Sequence, residues 1–177
     1  MASAAEFQHT LAKAVSLSGT SLHTGARVSL KIQPAAANSG IKFKRKDLQD
    51  EPTIDATIAN VKTVERATTI GEGSMRVHTV EHVLAALSGL GVDNAMIEMD
   101  ANEPPIGDGS ALMYVEAIRK AGVVPLEAPR LPFTRESRSR LRQKAGRSLS
   151  CCRTTNFGSP APRRDRRGVS HSSCRPQ

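Results

Sequence analysis

The segment at residues 78–82, His-Thr-Val-Glu-His, holds the side chains that a hydrolytic zinc site requires. In such a site one residue binds the metal, while a neighbouring carboxylate takes a proton from the attacking water. Glu81 and His82 are adjacent here, and His78 lies four residues before His82. The residue types and their spacing therefore indicate metal-assisted hydrolysis.

The same segment is predicted to be helical. Its apolar residues recur at helical spacing: Val80, Val83, Leu84 and Leu87. At 3.6 residues per turn, Glu81 lies roughly 100° and His82 roughly 200° around the helix from Val80. Because neither side chain is central to the apolar face, His82 is not expected to be a buried core histidine.

A zinc protease is one interpretation of this segment. The pattern His-x-x-Glu-His is that of the inverzincins, in which both histidines bind zinc and the glutamate is the base. Such a protease needs a further acidic ligand well downstream, within a large domain. After Glu127 the chain has only Glu136 and Asp165, in a segment without an apolar pattern. The protease is therefore kept as a minor alternative.

A second interpretation uses much more of the chain. Five motifs occur in a fixed order: SGTSLHTG (18–25), TTIG (68–71), TVEH (79–82), LSGLGVDN (87–94) and PIGDGSA (105–111). Together, from about residue 10 to about residue 134, they closely resemble the N-terminal half of UDP-3-O-acyl-N-acetylglucosamine deacetylase. This is the zinc enzyme family of lipid A biosynthesis, which removes acetate from the 2-amino group of its UDP-sugar substrate.

The resemblance implies roles for individual residues. Glu81 would be the general base and His82 a ligand of Zn²⁺, whereas the family does not use the position of His78 as a ligand. His23 and Thr69 would lie near the bound UDP-acyl-amino-sugar. For His23, a polar turn residue is an equally good interpretation.

Asp108 is a further candidate for substrate binding, but another role is favoured. With Gly109 and Ser110 it is predicted to form a turn that caps the next helix, because Asp and Ser accept hydrogen bonds from free N–H groups there.

The pattern of residues 1–133 predicts an α+β fold. Apolar and polar residues alternate over 27–33 and 41–44, another strand is predicted at 94–99, and a helix at 110–121 ends at Gly122. This order fits a sheet with helices packed on one face. The resemblance implies that this is the first of the family's two similar domains.

The chain changes character near Phe133. Residues 1–133 carry a net charge of −2, whereas residues 134–177 carry +10 and all three cysteines. The latter segment has no apolar period, so we expect it to be disordered, because it cannot bury enough surface to offset its ordering entropy. Three interpretations are open: a basic arm that binds nucleic acid, a solvated tail, or an out-of-frame translation. The third is favoured.

The tail has a consequence for activity. The family's second domain supplies further zinc ligands from a His-Lys-x-x-Asp helix and a histidine that acts as general acid. No such motif occurs here, since His171 is followed by Ser-Ser-Cys. We therefore expect these 177 residues to be inactive alone. The alternative from another class is a non-catalytic domain with a basic nucleic-acid-binding arm, although the near absence of aromatic residues from the tail disfavours nucleic acid as a partner.

The sequence favours a cytoplasmic location. Residues 1–13 lack the charged start and apolar core of a signal peptide, and the longest apolar stretch, 83–92, is too short to span a bilayer. No transmembrane segment is expected. Peripheral contact with a membrane stays open because the acylated substrate is amphipathic, and the sequence gives no prediction of oligomeric state.

Overall fold

A five-stranded mixed sheet is the framework for the candidate site. The structure, a computed structural model, describes residues 7–130 and two short strands further along the chain. Between residues 7 and 130 the strands are β1 (Phe7–Leu11), β2 (Val15–Thr20), β3 (Arg27–Pro34), β4 (Ile41–Arg45), β5 (Thr53–Asp55), β6 (Val61–Thr63), β7 (Thr69–Glu72), β8 (Met75–Val77), β9 (Ala95–Met99) and β10 (Val123–Pro129). The helices are α1 (Glu81–Gly89) and α2 (Leu112–Ala121).

The main sheet has the strand order β2-β3-β9-β4-β5. Its pairs are antiparallel except for β4 and β9, which run parallel. Side chains alternate across the sheet as expected for β-structure. On β3, Leu30 and Ile32 are buried, whereas Ser29 and Lys31 are exposed. The apolar residues, which alternate with polar ones along the strand, therefore face the inner side of the sheet.

Both helices cover this inner face and complete the core. Helix α1 buries Val83, Ala86 and Leu87, and helix α2 buries residues that include Tyr114 and Ile118. These side chains form one hydrophobic cluster with the inner residues of β3, β4 and β9. The predicted α+β class, a sheet with helices packed on one face, is confirmed.

Two smaller sheets flank the main one. Strand β1, at the start of the described residues, pairs with β10 near residue 130. Strands β6, β7 and β8 form a three-stranded antiparallel sheet. The close approach of β7 and β8 requires glycine at position 71, within β7. There φ is +93°, and a Cβ atom would lie 2.0 Å from the carbonyl oxygen of Met75. The small sheet positions the residues that lead into α1.

The predicted element boundaries need two corrections. Helix α1 begins at Glu81, so His78 lies outside it, in the segment after β8. The reason is Thr79, whose φ of +54° interrupts any helical path from His78 to Glu81. Helix α2 begins at Leu112, two residues later than predicted, and ends before Gly122, where φ is +80°.

The chain divides into two compact units, and the boundary lies between Arg130 and Leu131. In the second unit the structure describes β11 (Arg140–Arg142) and β12 (Ser148–Ser150), which pair antiparallel. The rest of the predicted disordered tail, residues 134–177, lies outside the described residues, so its interpretation stays a prediction. No helix in the described part of the chain is long and apolar enough to cross a membrane.

Candidate active site

An open cleft of about 410 Å³ lies between the 21–26 turn and the small sheet. The residues that line it are His23, Thr24, Lys62, Thr63, Glu65, Arg66, Ala67, Thr69, Arg76 and His78. Of the residues singled out from the sequence, His23, Thr69 and His78 therefore share this cleft, whereas Glu81 and His82 are not among its lining residues. Its lining holds three cationic side chains and one carboxylate, but Lys62 is paired with Glu72, so the excess positive charge comes from Arg66 and Arg76.

Thr69 and His78 form a hydrogen-bonded pair in the cleft. The hydroxyl Oγ1 of Thr69 lies 2.9 Å from Nδ1 of His78. Burial lowers the pKa of His78 below the usual value for histidine, although the negative charge of Glu103 acts in the opposite direction. The imidazole is therefore neutral at pH 7, with one nitrogen held by Thr69.

Glu81 is the first residue of α1, and its carboxylate is anchored there. Its Oε2 accepts a hydrogen bond of 3.1 Å from the N–H of Thr68, the residue before β7. A carboxylate in the first turn is also favoured by the positive end of the helix dipole. Glu81 and His82 are both half-buried, as their predicted places beside the apolar face require. A half-buried carboxylate can reach solvent and is also held in place.

Glu103 is a buried carboxylate that links two segments of the site. It is fully inaccessible to solvent. It accepts hydrogen bonds from the N–H groups of His23 and Thr24, at 3.0–3.1 Å, and from the hydroxyl of Thr79, at 2.7 Å. Burial by itself would raise the pKa of Glu103, but these hydrogen bonds outweigh it and hold the pKa below the usual value. Glu103 is therefore ionised at neutral pH.

Thr79 carries backbone strain immediately before the helix. Its φ of +54° is unusual for a β-branched residue. Such a conformation costs on the order of 1–3 kcal/mol and persists only where surrounding contacts hold it. For Thr79 these contacts are its hydrogen bond to Glu103 and its buried position.

Asp108 lies in the turn that precedes α2. Its Oδ1 accepts hydrogen bonds from the N–H and the hydroxyl of Ser110, and the Ser110 Oγ in turn accepts one from the N–H of Leu112. The hydrogen bonds from Ser110 lower the pKa of the Asp108 carboxyl. Asp108 is not among the residues that line the cleft. The expected turn is therefore formed, but the expected cap is not: among the described residues Asp108 bonds only to Ser110, and the N-cap residue of α2 is Ala111, which makes no side-chain cap hydrogen bond.

The donor set does not complete a metal site within the described part of the chain. There, no group of three or more His, Cys, Asp or Glu side chains could hold a metal ion. A catalytic zinc ion usually takes three protein ligands. The inverzincin pattern, with two histidines one helical turn apart, is not formed either, because His78 lies outside α1.

Some residues of the site had no signal in the sequence. Glu103 is buried among partners that lie 24 to 80 positions away in the chain. Arg66 and Arg76 carry no recognisable spacing; Arg66 lies in the connection between β6 and β7, Arg76 lies on β8, and the pairing of these strands brings both to the cleft.

Comparisons with known proteins were consistent with the motifs. The family model described as UDP-3-O-acyl N-acetylglycosamine deacetylase matches residues 8–155, a range that runs past residue 134, where the motif resemblance ends. A UDP-3-O-acyl-N-acetylglucosamine deacetylase of Methylococcus capsulatus is 48% identical over 123 residues, which are 70% of this chain and 40% of that protein. One of Trichormus variabilis is 49% identical over 117 residues, 66% of this chain and 42% of that protein.

A third relative is the bifunctional enzyme LpxC/FabZ of Chlorobaculum tepidum. It is 46% identical over 123 residues, which are 70% of this chain and 26% of that protein. This chain therefore spans from about a quarter to two-fifths of the length of the curated relatives it matches.

Proposed function

The chain belongs to the UDP-3-O-acyl N-acetylglycosamine deacetylase family, and on that premise we propose that it contributes the base-bearing half of a zinc-dependent deacetylase site. The substrate is UDP-3-O-acyl-N-acetylglucosamine. The observation that carries the proposal is the anchored carboxylate of Glu81, which starts α1 and accepts a hydrogen bond from the N–H of Thr68, the residue between Ala67 and Thr69 of the cleft lining.

Glu81 has the properties that a general base needs. It is half-buried, tied at Oε2 to Thr68, and free at its other oxygen of any hydrogen bond from the described residues. In hydrolysis of the N-acetyl amide, Glu81 accepts the proton of the water whose oxygen attacks the carbonyl carbon. Cleavage of the C–N bond then gives acetate and the free 2-amino group, and the proton for the leaving nitrogen comes from a group outside the described residues.

His82 is the ligand that this chain would offer to zinc. When bound, zinc lowers the pKa of a neighbouring water and polarises a carbonyl oxygen. The described residues supply no complete ligand set, so the remaining ligands are proposed to come from elsewhere in the enzyme. These 177 residues alone are accordingly expected to show no deacetylase activity.

The cleft offers a place for the anionic part of the substrate. Arg66 and Arg76 line it together with Lys62, which is paired with Glu72, and the lining holds one carboxylate, Glu65. One guanidinium group can donate two parallel hydrogen bonds to phosphate oxygens, and it stays charged at every relevant pH. We assign the diphosphate of the UDP group to this cleft, and His23 and Thr69 provide further polar contacts at its walls.

The proposal is tested in a chimaera. Residues 1–130 of this chain replace the matching part of the Methylococcus capsulatus relative, and release of acetate from the UDP-sugar is measured. We expect activity in the chimaera and a loss of about 10²–10⁴-fold in kcat for Glu81→Gln, the usual contribution of a general base.

The matched control is Glu116→Gln, an exposed carboxylate on α2, which should leave kcat unchanged. A folded, zinc-loaded chimaera whose activity is insensitive to Glu81→Gln would refute the assignment. Activity in the 177-residue chain alone would refute the expectation that its ligand set is incomplete.

A further inference from the structure

Glu103 belongs to the site without touching the cleft. It does not line the cleft, yet it bonds to the His23 turn on one side and to Thr79 on the other. These two segments carry His23 and the start of α1. They are joined by no other side-chain hydrogen bond among the described residues.

The carboxylate has no cationic partner. None of the ion pairs in the described part of the chain includes Glu103. Its charge is stabilised by neutral dipoles alone, namely two backbone N–H groups and one hydroxyl. Burying a charge without a counter-ion costs free energy unless every hydrogen-bond donor is in place. Loss of any one of the three donors is therefore unfavourable, and this keeps them in position around the carboxylate.

Both oxygens are required as acceptors. The N–H of His23 lies 3.1 Å from each of them, Thr24 donates to Oε2, and Thr79 donates to Oε1. A glutamine side chain has one acceptor oxygen, so its amide N–H would face one of these donors. The site therefore depends on the ionised carboxylate and not only on the size of the side chain.

We propose that Glu103 is a positioning residue of the deacetylase site: its carboxylate clamps the His23 turn to the strained Thr79 and thereby fixes where α1, and Glu81 with it, begins. The clamp itself is a statement about this fold, and only the naming of Glu81 as base rests on the proposed function. Cutting the clamp releases Thr79 from its left-handed backbone conformation. The main sheet and the core remain, because neither is built from these hydrogen bonds.

The first test uses the 177-residue chain and needs no catalysis. Amide hydrogen exchange is measured by NMR for Glu103→Gln and for the control Asp100→Asn, which alters a carboxylate bonded to the N–H of Ser29 on the outer face of the sheet. In Glu103→Gln, exchange at His23 and Thr24 should accelerate by about tenfold or more, while core amides of β3 stay protected. In Asp100→Asn, exchange at His23 and Thr24 should not change.

The second test separates the charge from the packing. The negative charge of Glu103 raises the pKa of His78, so NMR titration of His78 in Glu103→Gln should give a lower pKa than in the parent chain. A side chain that only fills space would leave this pKa where it is. In the active chimaera, Glu103→Gln should lower kcat, because it displaces the base, and should also raise KM, because the released His23 turn forms one wall of the cleft.

A further variant keeps the proposal testable if Glu103→Gln does not fold. Thr79→Val removes one donor, and Thr10→Val removes another buried hydroxyl, which bonds Asn94 and Ala35 far from the clamp. Thr79→Val should accelerate exchange at His23 and Thr24, and Thr10→Val should not.

Unchanged exchange at His23 and Thr24 in both clamp variants would overturn the proposal. Faster exchange in the clamp variants, combined with a parent chimaera that is itself inactive, would support the clamp and count against the proposed function. The two failures can therefore be told apart.

Discussion

Replacement of Thr69 by valine tests whether the hydroxyl in the cleft orients His78. Valine has nearly the same shape and suits a strand, so the change removes mainly the hydrogen bond of 2.9 Å to Nδ1 of His78. A neutral hydrogen bond contributes about 0.5–1.5 kcal/mol net. Because the imidazole is only half-buried, water can replace the lost partner, which keeps the cost near the middle of that range. The expected loss is about 1 kcal/mol in the free energy of unfolding.

For a folded part of this size, about 1 kcal/mol corresponds to a decrease in Tm of about 3–6 °C. The assay is urea unfolding at pH 7.5, followed by circular dichroism, where His78 is neutral in both folded and unfolded chains. The control is Thr20→Val, an exposed threonine on β2, which should stay within about 0.5 kcal/mol of the parent. If Thr69→Val and Thr20→Val gave the same free energy of unfolding, the hydrogen bond to His78 would not be formed in solution.

Three further predictions concern stability. Burial holds the pKa of folded His78 below 6.5, the ordinary value for histidine, so the unfolded chain takes up the proton first and stability falls as pH drops below about 6.5. His78→Asn should make this slope shallower in urea titrations between pH 7 and 5. Gly71→Ala should destabilise clearly more than Gly73→Ala: both have positive φ, which costs about 1–2 kcal/mol, but only the first brings Cβ against the Met75 carbonyl. Leu87→Ala should cost about 2–5 kcal/mol in thermal unfolding, because the side chain is fully buried between α1 and the sheet.

The parts of the fold that were predicted from the sequence are those with a long, local periodic pattern. The alternation over 27–33 and 41–44 gave β3 and β4, and the apolar spacing before Gly122 gave α2. The three-stranded sheet was missed because its strands have only three or four residues, too few to show a period. The pairing of β1 with β10 joins segments more than 100 residues apart, and nothing in either segment indicates its partner.

The candidate site was predicted only where a motif lies within one segment. Glu81 and His82 could be proposed because they are neighbours on one helix, and the turn at Asp108 could be predicted because its hydrogen bonds to Ser110 are local. The helix was extended wrongly to His78 because a single residue with positive φ, here Thr79, leaves no trace in an apolar pattern. Glu103 could not be identified for a related reason: a buried carboxylate is recognised by its donors, which come from distant segments.

The site and the core are stabilised by different interactions, and this has an experimental consequence. The core depends on apolar burial by β3, β9 and the two helices, whereas the His23 turn and the start of α1 are joined through hydrogen bonds to Glu103. A core change such as Leu87→Ala lowers the free energy of global unfolding, so the site and the core lose protection to the same extent. A clamp change such as Glu103→Gln opens the site locally at nearly constant core protection. Global unfolding in urea and local exchange at His23 should therefore rank the two variants in opposite orders, which a site stabilised only through the core would not produce.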